Sequence, residues 1–197
     1  MAGDMNPRKL VAISLLAMLI SGCDPLGRTP EKYETPLSNH SIQELCDSTK
    51  KFFAVRAGTD NLKVSPGVGG KSLTDEIGGG NGCFYEVADG SAWPDLGFVS
   101  LFRVANGDTL SETSSASRSY PAEVLTVEGV TVKVVTAPLL EEADPSTALL
   151  KVDLTANIDG WEGQLHFRRT NDQMTRDDQT TQTGAQALVN MIHTLKG

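Results

Sequence analysis

Residues 150–168 (LKVDLTANIDGWEGQLHFR) decide the fold of this chain. Asp159 and Gly160, near the centre, form a pair that is typical of the tight turn between two antiparallel strands. Apolar side chains alternate with polar ones on both sides of that turn: Leu150, Val152 and Leu154 before it, Leu165 and Phe167 after it. Such alternation indicates strands that bury one face and leave the other in solvent. The stretch therefore predicts a hairpin within an antiparallel sheet.

Further strands are predicted upstream of this hairpin. Segments rich in β-branched and aromatic residues lie at 83–88, 98–104, 124–127 and 130–136. Glu128 and Gly129, between the last two segments, indicate a second hairpin. Residues 58–82 are interpreted as a Gly-rich connection, because the run GGGNG at 78–82 does not hold regular structure cheaply.

Helices are predicted at both ends of the strand region. Ser41 and Glu44 have the spacing of a capping box, and residues 41–57 place their apolar side chains on one helical face. An apolar stripe at helical spacing predicts a second helix over 178–196. Helices and strands do not alternate, which argues against a parallel sheet. We expect an α+β domain: an antiparallel sheet of about five to seven strands with an N-terminal and a C-terminal helix packed on one face.

The first residues have the pattern of an export signal. Arg8 and Lys9 precede an unbroken run of apolar or small residues at 10–20. The run is too short to span a bilayer, which takes about 20 residues, but it suits a signal peptide. We expect residues 1–22 to be a signal peptide, residues 23–40 a flexible tether and residues 41–197 a single extracytoplasmic domain.

Ile20, Ser21, Gly22 and Cys23 follow the apolar run. This tetrad resembles the bacterial lipobox, in which an aliphatic residue, a small residue and Gly or Ala precede a cysteine. The resemblance implies that a diacylglycerol is attached to the Cys23 thiol, and that cleavage makes Cys23 the N-terminus. The alternative is an ordinary secretory leader with a chance cysteine. A lipoprotein would be held at the extracytoplasmic face of a cell membrane by its acyl chains.

Two cysteines remain once Cys23 is used for lipidation. Cys46 and Cys83 form an even pair in an exported domain, which predicts one disulfide. Free thiols or a redox pair are the alternatives, although the chain contains no Cys-x-x-Cys motif. Cys46 falls on the apolar face of the first predicted helix, in position to join that helix to a strand.

The order of these features resembles a group of small actinobacterial lipoproteins of unknown function. The shared features are a Cys in the first helix, here Glu44-Leu45-Cys46-Asp47, and a Cys that opens a strand, here Gly82-Cys83-Phe84-Tyr85. A hairpin and a C-terminal helix follow in both. The resemblance implies a fold similar to the sensor domain of mycobacterial serine/threonine kinases and, more distantly, to Mog1/PsbP-like domains. It implies no chemistry.

Charge and motif content exclude several classes of function. The chain has 17 basic and 25 acidic residues, a formal net charge of −8. Such a surface repels phosphate backbones, so no nucleic acid is expected as a partner. The three histidines lack paired metal-ligand spacing and no phosphate-binding motif is complete, so neither a metal nor a cofactor is expected.

Candidate binding residues are the two tryptophans, Trp93 and Trp161, each of which lies beside a turn residue. A loop tryptophan anchors a partner or stacks on a sugar ring in some proteins, and closes the edge of a small core in others. No residue is predicted to be catalytic. An enzyme would require at least two members of one polar set to share a pocket: Asp153, Glu162, His166 and Arg168.

The sequence favours a non-enzymatic, membrane-anchored lipoprotein of the cell envelope that binds a protein partner or a small amphiphilic ligand. The open sheet face or a cleft beside a helix would form the site. The alternative is an exclusion or immunity lipoprotein carried by a phage or plasmid. An envelope hydrolase is the third hypothesis.

Overall fold

The computed structural model describes residues 38–67, 71–88, 95–104, 120–139, 149–170 and 174–197. The predicted signal peptide, Cys23, most of the predicted tether and Trp93 lie outside these residues. Among the described residues, no helix has the length and apolar character needed to cross a membrane.

The described chain forms two helices and seven strands. In chain order they are α1 (Ile42–Ala57), β1 (Leu62–Pro66), β2 (Gly80–Val87), β3 (Asp95–Arg103), β4 (Ala122–Val127), β5 (Val130–Pro138), β6 (Leu149–Ile158), β7 (Trp161–Thr170) and α2 (Met174–Leu195). The strands form one sheet in the order β1-β2-β3-β7-β6-β5-β4, and every neighbouring pair is antiparallel. The predicted α+β class and antiparallel sheet are confirmed.

The hairpin that the sequence indicated most clearly is formed by β6 and β7. Its register pairs Ile158 with Trp161 and Asp153 with His166. Asp159 and Gly160 both have positive φ, 53° and 78°, as a primed two-residue turn requires. This turn sets the register, which decides which residues of the two strands are paired. Alternate residues of each strand lie on the same face of the sheet, so paired residues share a face.

Both helices cover one face of the sheet. The rings of Phe52 in α1 and Phe167 in β7 are 5.5 Å apart, and a Cβ on Gly163 of β7 would stand 2.7 Å from Ile192 of α2. Phe167 and Gly163 lie on the same face of β7, because side chains alternate along a strand. The core therefore lies between the helices and this inner face, as predicted.

The disulfide between Cys46 and Cys83 joins α1 to β2, which confirms the predicted bridge. Both cysteines are buried. Next to the bridge, the Tyr85 hydroxyl donates a hydrogen bond to the carbonyl of Cys46 at 2.5 Å and lies 2.8 Å from Thr49 Oγ1. Burial raises the pKa of this phenol well above its ordinary value, so the hydroxyl stays protonated and can donate. The first helix is thus fixed to the sheet by a covalent and a polar contact.

The N-terminus of α1 is capped as its sequence predicts. Ser41 Oγ accepts a hydrogen bond from the Glu44 amide at 3.3 Å, and Glu44 Oε2 accepts one from the Ser41 amide at 2.7 Å. The backbone hydrogen bond from Ser41, with smaller contributions from His40, holds the pKa of Glu44 below its ordinary value. The helix ends at Gly58, which has the left-handed conformation that favours glycine.

The prediction that residues 78–82 are irregular was wrong for 80–82, which begin β2. Gly80 and Gly82 lie on the outer face of the sheet, away from the helices, where aromatic rings of β3 cover them. A Cβ on Gly82 would stand 2.3 Å from Phe98 Cζ, and one on Gly80 would stand 3.1 Å from the ring of Phe102. Glycine is therefore needed at 82, where the ring of Phe98 and the Val99 carbonyl leave no room for a side chain, whereas the approach at 80 is only tight.

Candidate functional site

A groove lies between α1 and α2, on the solvent side of the helix pair. Its main part has a volume of about 790 Å³, and an adjoining part of about 370 Å³ continues it. The main part is lined by the C-terminal half of α1 and the middle of α2, whereas the adjoining part is lined by the start of α1 and the end of α2. The two helices are therefore antiparallel, and the groove follows their length.

Apolar side chains contribute both to the floor and to the rim of this groove. Phe52 is 5% exposed, and its ring packs edge-on against Phe53 and Phe167 below the groove. Val55, on the rim, is 73% exposed. When a partner covers an aliphatic side chain that is so exposed, the removal of apolar surface from water favours binding. The groove thus combines a buried apolar floor with an uncovered apolar rim.

The α2 wall of the groove combines the apolar residues Ala187, Met191 and Leu195 with a row of uncharged hydrogen-bonding side chains. The hydrogen-bonding side chains recur at helical spacing along one face of α2: Gln179, Thr180, Thr183, Gln186, Asn190 and Thr194. Gln186 Nε2 donates to Asn190 Oδ1 at 3.1 Å and to Glu128 Oε1 at 2.8 Å. The α2 side chains of this wall are uncharged, and the hydroxyls of Thr183 and Thr194 already donate to carbonyls of α2.

The α1 wall carries charges that are separated by sign. Glu44 and Asp47 line the groove near the start of α1, whereas Lys51 and Arg56 line it near the end. Arg56 is already engaged, since its guanidinium donates to the Arg168 carbonyl and lies 4.6 Å from the centre of the Phe167 ring. In the part of the chain that the structure describes, neither Asp47 nor Lys51 forms a salt bridge. The groove therefore has an acidic end and a basic end.

A second polar arrangement lies on the outer face of the sheet. The register places Phe84, Phe98, His166 and Asp153 side by side in one row across β2, β3, β7 and β6. His166 Nδ1 lies 2.5 Å from Asp153 Oδ1, and the ring centres of Phe98 and His166 are 6.0 Å apart. Among the described residues, no hydroxyl or thiol hydrogen-bonds to His166.

The pKa of the Asp153 carboxyl is displaced from its ordinary value. Burial alone would raise the pKa of its carboxyl, but the hydrogen bond and charge of His166, together with Lys151 at 3.0 Å, outweigh burial. The net result is a lowered pKa. The ionised carboxylate therefore stabilises the folded state above the ordinary carboxyl range, and this stabilisation is lost as the pH falls through the lowered pKa.

Asp153→Asn is expected to reduce the free energy of unfolding by about 1.5–3 kcal/mol near pH 6, because the contacts with His166 and Lys151 lose their charged acceptor. The difference from the unmodified protein should shrink as the pH falls below the ordinary carboxyl range and the Asp153 carboxylate becomes protonated. Urea unfolding at several pH values measures it, with Asp60→Asn as a control at an exposed loop carboxylate. A difference that is constant with pH would contradict the assigned role of the charge.

The other residues singled out from the sequence are dispersed. Trp161 is 2% exposed and packs in the core under the guanidinium of Arg103. Its role in binding stays a prediction. Glu162 is buried and accepts a hydrogen bond from Gln164 at 2.7 Å, and Arg168 pairs with Asp95 at 2.8 Å. The structure thus brings Asp153 and His166 together, but neither part of the groove includes them.

Sequence reasoning missed the groove. One signal was readable: Glu44, Asp47, Ser48, Lys51 and Val55 recur at helical spacing on the side of α1 that faces away from its buried residues. The sequence did not predict that α2 lies beside this stripe. The two helices are separated in sequence by the whole sheet, and their packing depends on contacts across that distance.

The fold and the groove define a single disulfide-bonded α+β domain, and the disulfide fits an extracytoplasmic location. No protein-family model matches the chain, and no curated protein matches it. Among solved structures, the chain is similar to the solution structure of cyanobacterial PsbP from Synechocystis sp. PCC 6803. The two are 12% identical, the match covers 66% of this chain and 81% of that one, and the TM-score is 0.40. This is a distant structural similarity.

Proposed function

We propose that this protein is a lipid-anchored, non-enzymatic lipoprotein of the cell envelope that holds a segment of a protein partner in the α1–α2 groove. The lipobox-like tetrad at 20–23 supports the anchor. The disulfide between Cys46 and Cys83 supports a domain that folds outside the cytoplasm.

One observation carries the choice of a protein partner: the groove is an open trough with opposite charges at its ends. Pockets for small molecules commonly enclose most of the ligand surface. A trough between two helices, with an exposed rim residue such as Val55, instead suits the helix-in-groove mode of peptide recognition. A partner segment would cover Val55, pair with both charged ends and hydrogen-bond to the α2 wall.

A small amphiphilic ligand is the second candidate, and the main part of the groove favours it by size. Its volume of about 790 Å³ falls within the range of about 300–1,000 Å³ that small-molecule sites occupy. Phe52 would contact the apolar part of such a ligand, and Lys51 an anionic head group.

Photo-crosslinking in membranes tests the proposal. A photoreactive amino acid replaces Val55 in the full-length, lipid-processed protein, and Val124 in a matched control. Val124 is also exposed, at 65%, but lies in β4 at the sheet edge. We expect protein adducts at position 55 that Lys51→Glu weakens, and none of that kind at position 124. Adducts to lipid alone at position 55 would replace the protein partner with an amphiphile, and equal adducts at both positions would overturn the proposal.

A further inference from the structure

We infer that the partner held in the α1–α2 groove is a second copy of this chain, docked through α1 with two-fold symmetry. This inference rests on the proposed function, because it names the occupant of the same groove. It is drawn from the charge order along α1, the neutrality of the facing α2 wall and the exposure of Val55.

The charge order along α1 is complementary to itself when the helix is reversed. The acidic residues Glu44 and Asp47 precede the basic residue Lys51 on the stripe that borders the groove. A second α1 that runs antiparallel presents its basic half to the acidic half of the first. A two-fold axis produces this arrangement, since each contact between two residues occurs twice in an isologous interface.

The centre of the stripe determines which residues meet. An axis that passes near Ser48 brings Asp47 of one copy beside Lys51 of the other, and the converse pair forms on the opposite side of the axis. Ser48 is half-buried and small, so it allows the two helices to approach. Asp47 and Lys51 are exposed and, within the described residues, have no salt-bridge partner in their own chain. Each therefore gains a partner from the second copy.

The remaining surface of the groove is compatible with this docking. The α2 side chains that line the groove are uncharged, so they neither oppose nor duplicate the charge order on α1, and the Glu128 carboxylate beside Gln186 is already hydrogen-bonded. Val55 lies one helical turn beyond Lys51 and is covered by the start of the second α1. Both copies thus bury an aliphatic side chain that the isolated chain leaves 73% exposed.

The expected area corresponds to a weak but specific interface. The 16 residues of α1 span about 24 Å, and two helices side by side are about 20 Å wide. The helix pair therefore contributes about 500 Å² per copy and about 1,000 Å² in total, which is the lower limit for a specific interface. Attachment to one membrane confines both copies to a plane, which raises their effective concentration.

Charge-reversal variants, expressed singly and together, test the inference in membranes. With the photoreactive residue at position 55, the adduct is expected at twice the mass of the chain. Asp47→Lys and Lys51→Glu should each lower its yield by about tenfold, because two attractive pairs become repulsive. Co-expression of the two single variants should restore the yield, since a chain with lysine at 47 and 51 meets a chain with acidic residues at both. Only contacts between copies produce this rescue.

Lys50→Glu is the matched control, because it makes the same charge change on the same helix at an exposed residue outside the groove. It should leave the adduct unchanged. If position 55 crosslinks only to a different protein, the second copy is the wrong partner while the proposed function stands. If Lys50→Glu acts like Lys51→Glu, or if co-expression gives no rescue, the inference is overturned. If position 55 gives no protein adduct, both proposals fail.

Discussion

Cys23→Ser is expected to leave the protein without its lipid and with its signal peptide still attached. The thiol of Cys23 is the only nucleophile of the tetrad at 20–23 that can take the diacylglycerol, because a serine hydroxyl is a far weaker nucleophile at neutral pH. Each acyl CH₂ group that enters the bilayer contributes about 0.8 kcal/mol, so two chains give a stable anchor where one chain gives only a marginal one. Its loss is the largest single change we expect.

Intact mass spectrometry of the protein from a lipoprotein-processing host gives the measurement. The unmodified protein should have the mass of residues 23–197 plus an acylated glycerol, whereas Cys23→Ser should have the mass of the uncleaved chain. Ser21→Ala is the matched control, because it keeps a small residue in the tetrad and should be lipidated and cleaved normally. An unmodified protein that is free of lipid, or that begins at another residue, would show that the tetrad is not a lipobox.

Local sequence patterns predicted the features whose contacts are close in the chain. The pair Asp159 and Gly160 determined both the turn and the register of β6 and β7, since a two-residue turn allows one pairing only. The capping box at Ser41 marked the start of α1 within one residue. The pairing of Cys46 with Cys83 followed from the number of cysteines, because only two remain when Cys23 is assigned to the predicted lipidation site.

The features that were missed depend on contacts between distant segments. Residues 62–66 lie in a Gly-rich region and form β1 because they pair with the edge of β2. The glycines at 80 and 82 belong to β2 because Phe102 and Phe98 of β3 lie over them. The helix α2 begins at Met174 rather than near residue 178. The groove arises for the same reason as β1, since α1 and α2 are separated in sequence by all seven strands and are neighbours only in the folded domain.

Removal of the disulfide is expected to lower the free energy of unfolding by about 4 kcal/mol. Cys46 and Cys83 are 37 residues apart, and closing a loop of that length removes this much conformational free energy from the unfolded chain. A domain of this size is stable by about 5–15 kcal/mol, so the loss is a large share of the total. Both side chains are buried, and alanine at either position adds a further small loss of packing.

The double variant Cys46→Ala/Cys83→Ala, compared with the oxidised protein by urea unfolding, measures this effect without leaving an unpaired thiol. The matched control is the same pair of proteins in reductant, where the difference should fall to the packing term alone. Because the disulfide holds α1 against β2, the double variant should also lose adducts at position 55 before it unfolds globally. A loss of stability below about 1 kcal/mol would mean that contacts such as those of Tyr85 with Cys46 and Thr49 hold α1 in place by themselves.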